Sequence, residues 1–466
     1  MKFATRHGQS DHGALRRLYL DFDSFFASAE QHFNPALRGK PVGVVPLDSP
    51  NTGCIAISRE AKVRGVRGLM AVADARQIVP DMIFVVARPD AYVRLHHRIL
   101  AVIETCLPIA KVRSIDELVC HLLPSEAAKA PVLGAEIKRC LIDHFSDVLT
   151  CSIGIASTEL LAKIAAEFDK PNGFVLLRDS DLPAKLDKLG LRKIPGISTG
   201  VEARLHSAGI KTFSALWDLG PKHLRAIWGN VEGERFWNGL HGEDCERPET
   251  VKRMFGHSRV LPVDWRSPDK VRECARQLTL SASRRLRRAE LRASKLTLSF
   301  RPENYSSGDR VKSRISRWDK ELSFTAAQDD QSFLKNLDKA MVLWRTQQPF
   351  NPRVMSVILH GLAPLHDPQG DLFDMAHLAT EKCTAKLDRR KSERLSATLD
   401  QIRAAHGPSA ATLGPIVKLP GGYLGAKIAF GRIPDLADFS ENQTEDGETH
   451  FARDTGSARP RQRRAK

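Results

Sequence analysis

No two of the eight cysteines form a Cys-x-x-Cys pair, so a zinc site is not expected. They are scattered at Cys54, Cys106, Cys120, Cys140, Cys151, Cys245, Cys274 and Cys383. Several sit in apolar runs such as Cys151-Ser-Ile-Gly-Ile155, which suits buried free thiols in a reducing cytoplasm. No apolar run reaches about 18 residues, so no membrane span is expected. Residues 1–14 are polar and do not read as a secretory signal. No internal repeat is visible. Acidic residues are outnumbered, 55 against 71 Lys and Arg, which leaves a formal net charge of +16. That excess favours a polyanionic partner by steering and counterion release. At 466 residues the chain is too long for one compact core, and three to four domains are expected.

The apolar stretch in Arg17-Leu-Tyr-Leu-Asp-Phe22 suits a buried strand ending in a carboxylate. A helix starts at Phe25. Strands are expected at Val42–Val45, Gly53–Ile57, Met82–Ala87, Val112–Leu123, Leu149–Ile155 and Phe174–Leu177. Helices are expected at Ser58–Val63, Ala91–Cys106, Ala135–His144 and Leu160–Glu167. Strands and helices mix without strict alternation, which points to an α+β sheet domain. After residue 178 the texture changes to short helices with Gly and Pro breaks. A third, very basic region runs over 254–364. From Asp367 onward the chain is polar, with a helical stretch at Leu395–Ala405 and a tail, Arg459-Pro-Arg-Gln-Arg-Arg-Ala-Lys466, whose composition is that of disorder.

Asp21 and Asp23 flank Phe22, and alternate residues of a strand share a face. Asp116 and Glu117 are an adjacent acidic pair on another expected strand. Converging carboxylates repel one another unless a cation joins them. Hard oxygen ligands from two strands suit Mg²⁺, and two such ions can clamp the attacking and leaving oxygens of a phosphoryl transfer. On spacing alone, ordinary strand-end or surface charges are the better explanation of these acids.

Leu20-Asp-Phe-Asp-Ser-Phe-Phe-Ala-Ser-Ala-Glu30 resembles the first catalytic motif of the Y-family lesion-bypass DNA polymerases, and Ser114-Ile-Asp-Glu117 their second. Gly53 to Lys62 with Gly65-Val66 resembles the fingers segment of that family. Cys151–Ile155, Leu161–Ala166 and Lys170-Pro-Asn-Gly173 resemble the end of its palm. The likeness covers roughly residues 16–365 and is nearest to the bacterial polymerase IV (DinB-like) type. It implies an α+β right hand. A palm would comprise 15–24 and 87–177, small fingers 25–86, and a helical thumb with a helix-hairpin-helix 178–243. An α/β little finger would cover 254–364, and a C-terminal segment 365–466. It also implies template-directed, two-metal transfer of dNTP to a primer 3′-OH, with Mg²⁺ held by Asp21, Asp116, Glu117 and the Phe22 carbonyl.

By the same resemblance Phe26 is the aromatic gate whose flat ring leaves no room for a ribose 2′-OH. Arg59, Lys62 and Lys170 match positions that contact the triphosphate. Arg59 stands where most members have Tyr, Lys62 where they have Arg, and Thr158-Glu159 where they have Asn-Lys; Lys cannot make the bidentate fork that Arg can. Leu191 to Ser198 resembles a helix-hairpin-helix, whose backbone N–H groups near Gly196 and Ser198 would face a phosphate. Arg284 to Lys295 holds six basic residues and one acidic one, and Arg284, Arg285 and Arg288 are its DNA-contact candidates. Gln369-Gly-Asp-Leu-Phe373 resembles the peptide by which bacterial polymerases dock on the sliding clamp (beta subunit), with Gln369, Leu372 and Phe373 as its contacts. A monomer acting on primer-template DNA in the bacterial cytoplasm follows. The alternatives are a non-catalytic relative that binds DNA or clamp as an accessory factor, and a helix-hairpin-helix repair nuclease or glycosylase. The latter does not explain Phe25-Phe26 and Ser-Ile-Asp-Glu117.

Overall fold

The computed structural model describes residues 15–46, 48–245, 251–302, 317–347, 350–365, 383–406 and 410–414. In chain order the first part runs β1 (Arg17–Phe22), α1 (Phe25–Phe33), β2 (Val42–Val45), β3 (Ala56–Ile57), α2 (Arg59–Val63), α3 (Val72–Ile78), β4 (Ile83–Val86) and α4 (Pro89–Glu104). It continues with β5 (Ile109–Val112), β6 (Glu117–His121), α5 (Pro124–Ala128), α6 (Ala130–His144), β7 (Cys151–Ala156), α7 (Glu159–Phe168) and β8 (Phe174–Leu176).

Five of these strands form one sheet in the order β5-β6-β1-β7-β8, with β1 at its centre and antiparallel to both neighbours. Leu18 and Leu20 of β1 face one side and join a core with α1, α4 and α6, while Tyr19 faces the other side and packs with α7. This alternation is what the Leu-Tyr-Leu pattern dictates when both faces of a strand are covered. Gly154 on β7 permits the close approach of α7, because a Cβ there would meet Ala162 O at 2.1 Å and Ala166 N at 2.3 Å. A smaller sheet, β3-β2-β4, forms the fingers with α2 and α3 over a separate cluster around Cys54, Ile57 and Val72. The helix α1 packs against β2 and β3 of the smaller sheet, and it buries Phe25, Phe26, Ala27 and Ala29 in the same core as Leu18 and Leu20 of β1. Its apolar residues find the larger hydrophobic face there.

The thumb follows as α8 (Thr199–Ser207), α9 (Phe213–Trp217), α10 (Pro221–Trp228) and α11 (Glu232–Leu240). Leu205, Phe213, Leu224 and Leu240 share one cluster with Tyr19, Val119 and α7, so thumb and palm have a common core. The last unit is β9 (Met254–Val260), α12 (Pro268–Arg288), β10 (Leu291–Pro302), β11 (Trp318–Ala327), α13 (Asp330–Gln347) and β12 (Pro352–Pro364). Its strand order is β11-β10-β12-β9 and every neighbouring pair is antiparallel. Leu296, Leu298 and Phe300 alternate inward against both helices. A final helix, α14 (Cys383–His406), reaches beyond both ends of the expected stretch Leu395–Ala405.

Candidate active site

Strand β1 ends at the site with Asp21 and Phe22, and β6 begins there with Glu117. Asp21 lies directly opposite Glu117 in the antiparallel register, and the Phe22 amide donates to the Asp116 carbonyl at 2.9 Å. Like charges facing each other across a pair of strands repel. Two lysines offset that repulsion. Lys170 Nζ lies 2.9 Å from Asp21 Oδ1 and 2.6 Å from Glu167 Oε1. Lys163 Nζ lies 2.5 Å from Glu117 Oε1 and donates to the Tyr19 hydroxyl oxygen at 3.0 Å. Asp116 instead accepts the Ser114 hydroxyl at 2.5 Å.

Burial pushes the Asp21 carboxyl up to about 7, with the Lys170 charge and hydrogen bond opposing. Burial also raises Asp116. Glu117 is held below its ordinary value, because the hydrogen bond and charge of Lys163 outweigh its own burial. Burial and the positive charge of Lys170 both lower Lys62. Such perturbed groups gathered in one cleft are a signature of functional sites.

Asp21, Phe22, Phe26, Lys62, Asp116, Glu117 and Lys170 line one open cavity of about 420 Å³, together with Ile55, Ala56, Ile57 and Gly68 of the fingers. Phe26 rests on Tyr92 of α4, with ring centroids 4.8 Å apart and an interplanar angle of 26°. Arg59 opens α2 but is exposed and is not part of the lining. Gly196, at φ +94°, and Ser198 lie in the thumb, where the Ser198 hydroxyl caps α8 by accepting the Val201 N–H. The segment before them is a short 3₁₀ turn, Leu191–Lys193, rather than a full first helix. On α12, Arg284 and Arg285 are half-buried and Arg288 is exposed. Arg285 donates to the Gly256 carbonyl of β9 at 3.0 Å. Gln369, Leu372 and Phe373 lie outside the described residues.

Among the described residues, no three His, Cys, Asp or Glu side chains stand close enough to hold a metal ion as they are arranged. The donor chemistry nonetheless fits a hard divalent cation, because three carboxylates open into one cavity and two of them are each already paired with a lysine ammonium. Sequence reasoning missed Tyr19, Tyr92 and Lys163. Lys163 was visible only as one residue of the Leu161–Ala166 segment. The i, i+4, i+8 spacing of Glu159, Lys163 and Glu167 sets all three on one stripe of α7, where they hold Arg113, Glu117 and Lys170.

The impB/mucB/samB family model matches residues 20–167, and the model of that family's C-terminal domain matches 252–372. A DNA polymerase IV of Bacillus velezensis is 30% identical over 290 residues, 61% of this chain and 69% of that protein. DNA polymerase IV 2 of Agrobacterium fabrum is 30% identical over 251 residues, 53% and 69% of the two chains. DNA polymerase IV of Oceanobacillus iheyensis is 27% identical over 403 residues, 84% and 90%. Among solved structures, a Y-family DNA polymerase chimera of Dbh and Dpo4 superposes with a TM-score of 0.62 at 22% identity, covering 75% of this chain and all of the other.

Fold and site together define a right-hand polymerase with an acidic palm centre. The chain belongs to the Y-family DNA polymerases, of the DinB-like type matched by the impB/mucB/samB models. It is a DNA-directed DNA polymerase of the translesion class.

Proposed function

We propose that the chain adds dNTPs to the 3′-OH of a primer paired to a DNA template, using two Mg²⁺ ions held by Asp21, Asp116, Glu117 and the Phe22 carbonyl. When bound, the ions would draw the attacking and leaving oxygens into line and offset their charge. The protein's own groups do the rest. Tyr19 and Lys163 fix Glu117, and Ser114 fixes Asp116. The Phe26 ring, backed by Tyr92, lies under the sugar and excludes a 2′-OH. Lys62, Lys170 and Arg59 neutralise the β- and γ-phosphates and the departing pyrophosphate. The α8 N-terminus by Gly196 and Ser198, and Arg284, Arg285 and Arg288, hold duplex phosphates without reading sequence. Gln369, Leu372 and Phe373 dock on the beta subunit of a sliding clamp. The enzyme works as a monomer in the bacterial cytoplasm.

The observation that carries this reading is the common cavity of the three acids, Phe26, Lys62 and Lys170. An accessory, non-catalytic role is not favoured, because it leaves that gathering without a purpose. The test is primer extension with Mg²⁺ and dNTPs. The natural chain extends the primer, and Asp116→Ala/Glu117→Ala lowers the rate at least about 1000-fold. Extension that survives the double change removes the metal assignment, and an inactive natural chain restores the accessory reading.

A further inference from the structure

Asp23 stands between two residues that line the cavity, Phe22 and Ser24, yet does not line it. It is 8% exposed, and both of its oxygens are engaged elsewhere. Oδ1 accepts the Ser152 hydroxyl at 2.9 Å. Oδ2 accepts the Thr150 hydroxyl at 2.9 Å and the backbone N–H of Asn172 at 2.7 Å. Ser152 in turn accepts the N–H of Gly173 at 3.4 Å. From the other side Lys138 of α6 donates to the carbonyls of Asn172 and Gly173 at 2.5 and 3.0 Å. Both N–H groups and both carbonyls at the end of the Lys170–Gly173 turn are thus gripped by side chains from the β1–α1 turn, β7 and α6. Asn172 is held at φ +60°, an uncommon conformation for a residue other than glycine. At the head of the turn the Lys170 ammonium reaches Asp21.

We infer that Asp23 and Lys138 are positioning residues that clamp this turn so that Lys170 presents its ammonium to the incoming triphosphate. Their charges are complementary to what they hold: the anion takes the Asn172 amide directly and the Gly173 amide through Ser152, and the cation takes the two carbonyls. Asp23, an acid of the first motif outside the metal-binding set, thereby acts through Lys170. The inference rests on the reading of Lys170 as a triphosphate contact.

The test is a double-mutant cycle on the full chain by steady-state primer extension with Mg²⁺ and dNTP. Loss of a hydrogen bond to a charged group predicts that Asp23→Asn and Lys138→Met each raise KM for dNTP about tenfold while kcat changes far less. Lys138→Arg restores the natural KM. In a Lys170→Gln background the same changes alter KM by less than about twofold, because residues acting through one group are not additive. Equal effects in both backgrounds overturn the clamp while leaving the Lys170 reading intact. An unchanged KM in Lys170→Gln alone overturns both. Should Asp23→Asn fail to fold, Lys138→Met decides by the same cycle.

Discussion

Burial sets the character of single residues around the palm, and His96 is the clearest case. Its ring is 3% exposed, Nδ1–H donates to the Ile115 carbonyl at 2.8 Å, and Nε2 has no hydrogen-bond partner among the described residues. Burial lowers its pKa to about 4, so the folded protein keeps it neutral where the unfolded chain takes up a proton. Stability is therefore intact above the ordinary value near 6.5 and is lost as pH falls towards 4, by up to ~3 kcal/mol. The expected outcome is that Tm falls less steeply between pH 6.5 and 4 in His96→Leu than in the natural chain. An identical slope would refute this role. Residues of this kind were not legible beforehand. Asp21, Phe26 and Asp116 stand in motifs whose order marks them. Tyr19, Asp23, Lys138 and Lys163 act through partners 34 to 149 positions away, from Lys138 and Asn172 at 34 and Lys163 and Glu117 at 46 to Tyr19 and Lys163 at 144 and Asp23 and Asn172 at 149. No local pattern encodes such pairs.

At the scale of elements, period-2 and period-3.6 patterns located β1, β2, α2, β7 and α7 within a residue or two. The stretch Val112–Leu123, read as one strand, is broken. Arg113 and Ser114 both donate backbone N–H groups to the Glu117 carbonyl, and Ser114 bonds Asp116, so a turn forms between β5 and β6. Short polar side chains that bond the nearby backbone compete with a ladder in this way. The docking of α14 was equally hidden. Arg287 of the basic α12 cluster turns inward and meets Asp330 and Asp400, each at 2.7 Å. Ser396 accepts the Asp330 N–H at 3.0 Å, and Arg276 donates to the Leu413 carbonyl at 3.1 Å. One member of an apparent phosphate-tracking run is thus spent on internal structure. Asp400→Ala leaves Arg287 short of a partner and is expected to destabilise the chain by about 2 kcal/mol in urea unfolding. A change below about 0.5 kcal/mol would mean that α14 is not held by this pair.

The whole molecule carries a net charge of +16, and its action on DNA makes that excess a binding term. Affinity for primer-template DNA is expected to fall with salt along a log–log slope of about −4 or steeper, measured by fluorescence anisotropy. A slope near zero would show that the charge lies away from the duplex. The four hydrophobic clusters among the described residues are likewise unequal. Fingers and little finger each have their own, but the thumb shares one with Tyr19 and Val119 beneath the palm. Tyr19 touches Lys163, and Lys163 touches Glu117. The helical thumb and the acidic centre of the palm are therefore coupled through one packed layer. A substitution at Phe236 or Leu240 loosens the layer on which Tyr19 rests, so a change made in the thumb is felt where Lys163 holds Glu117.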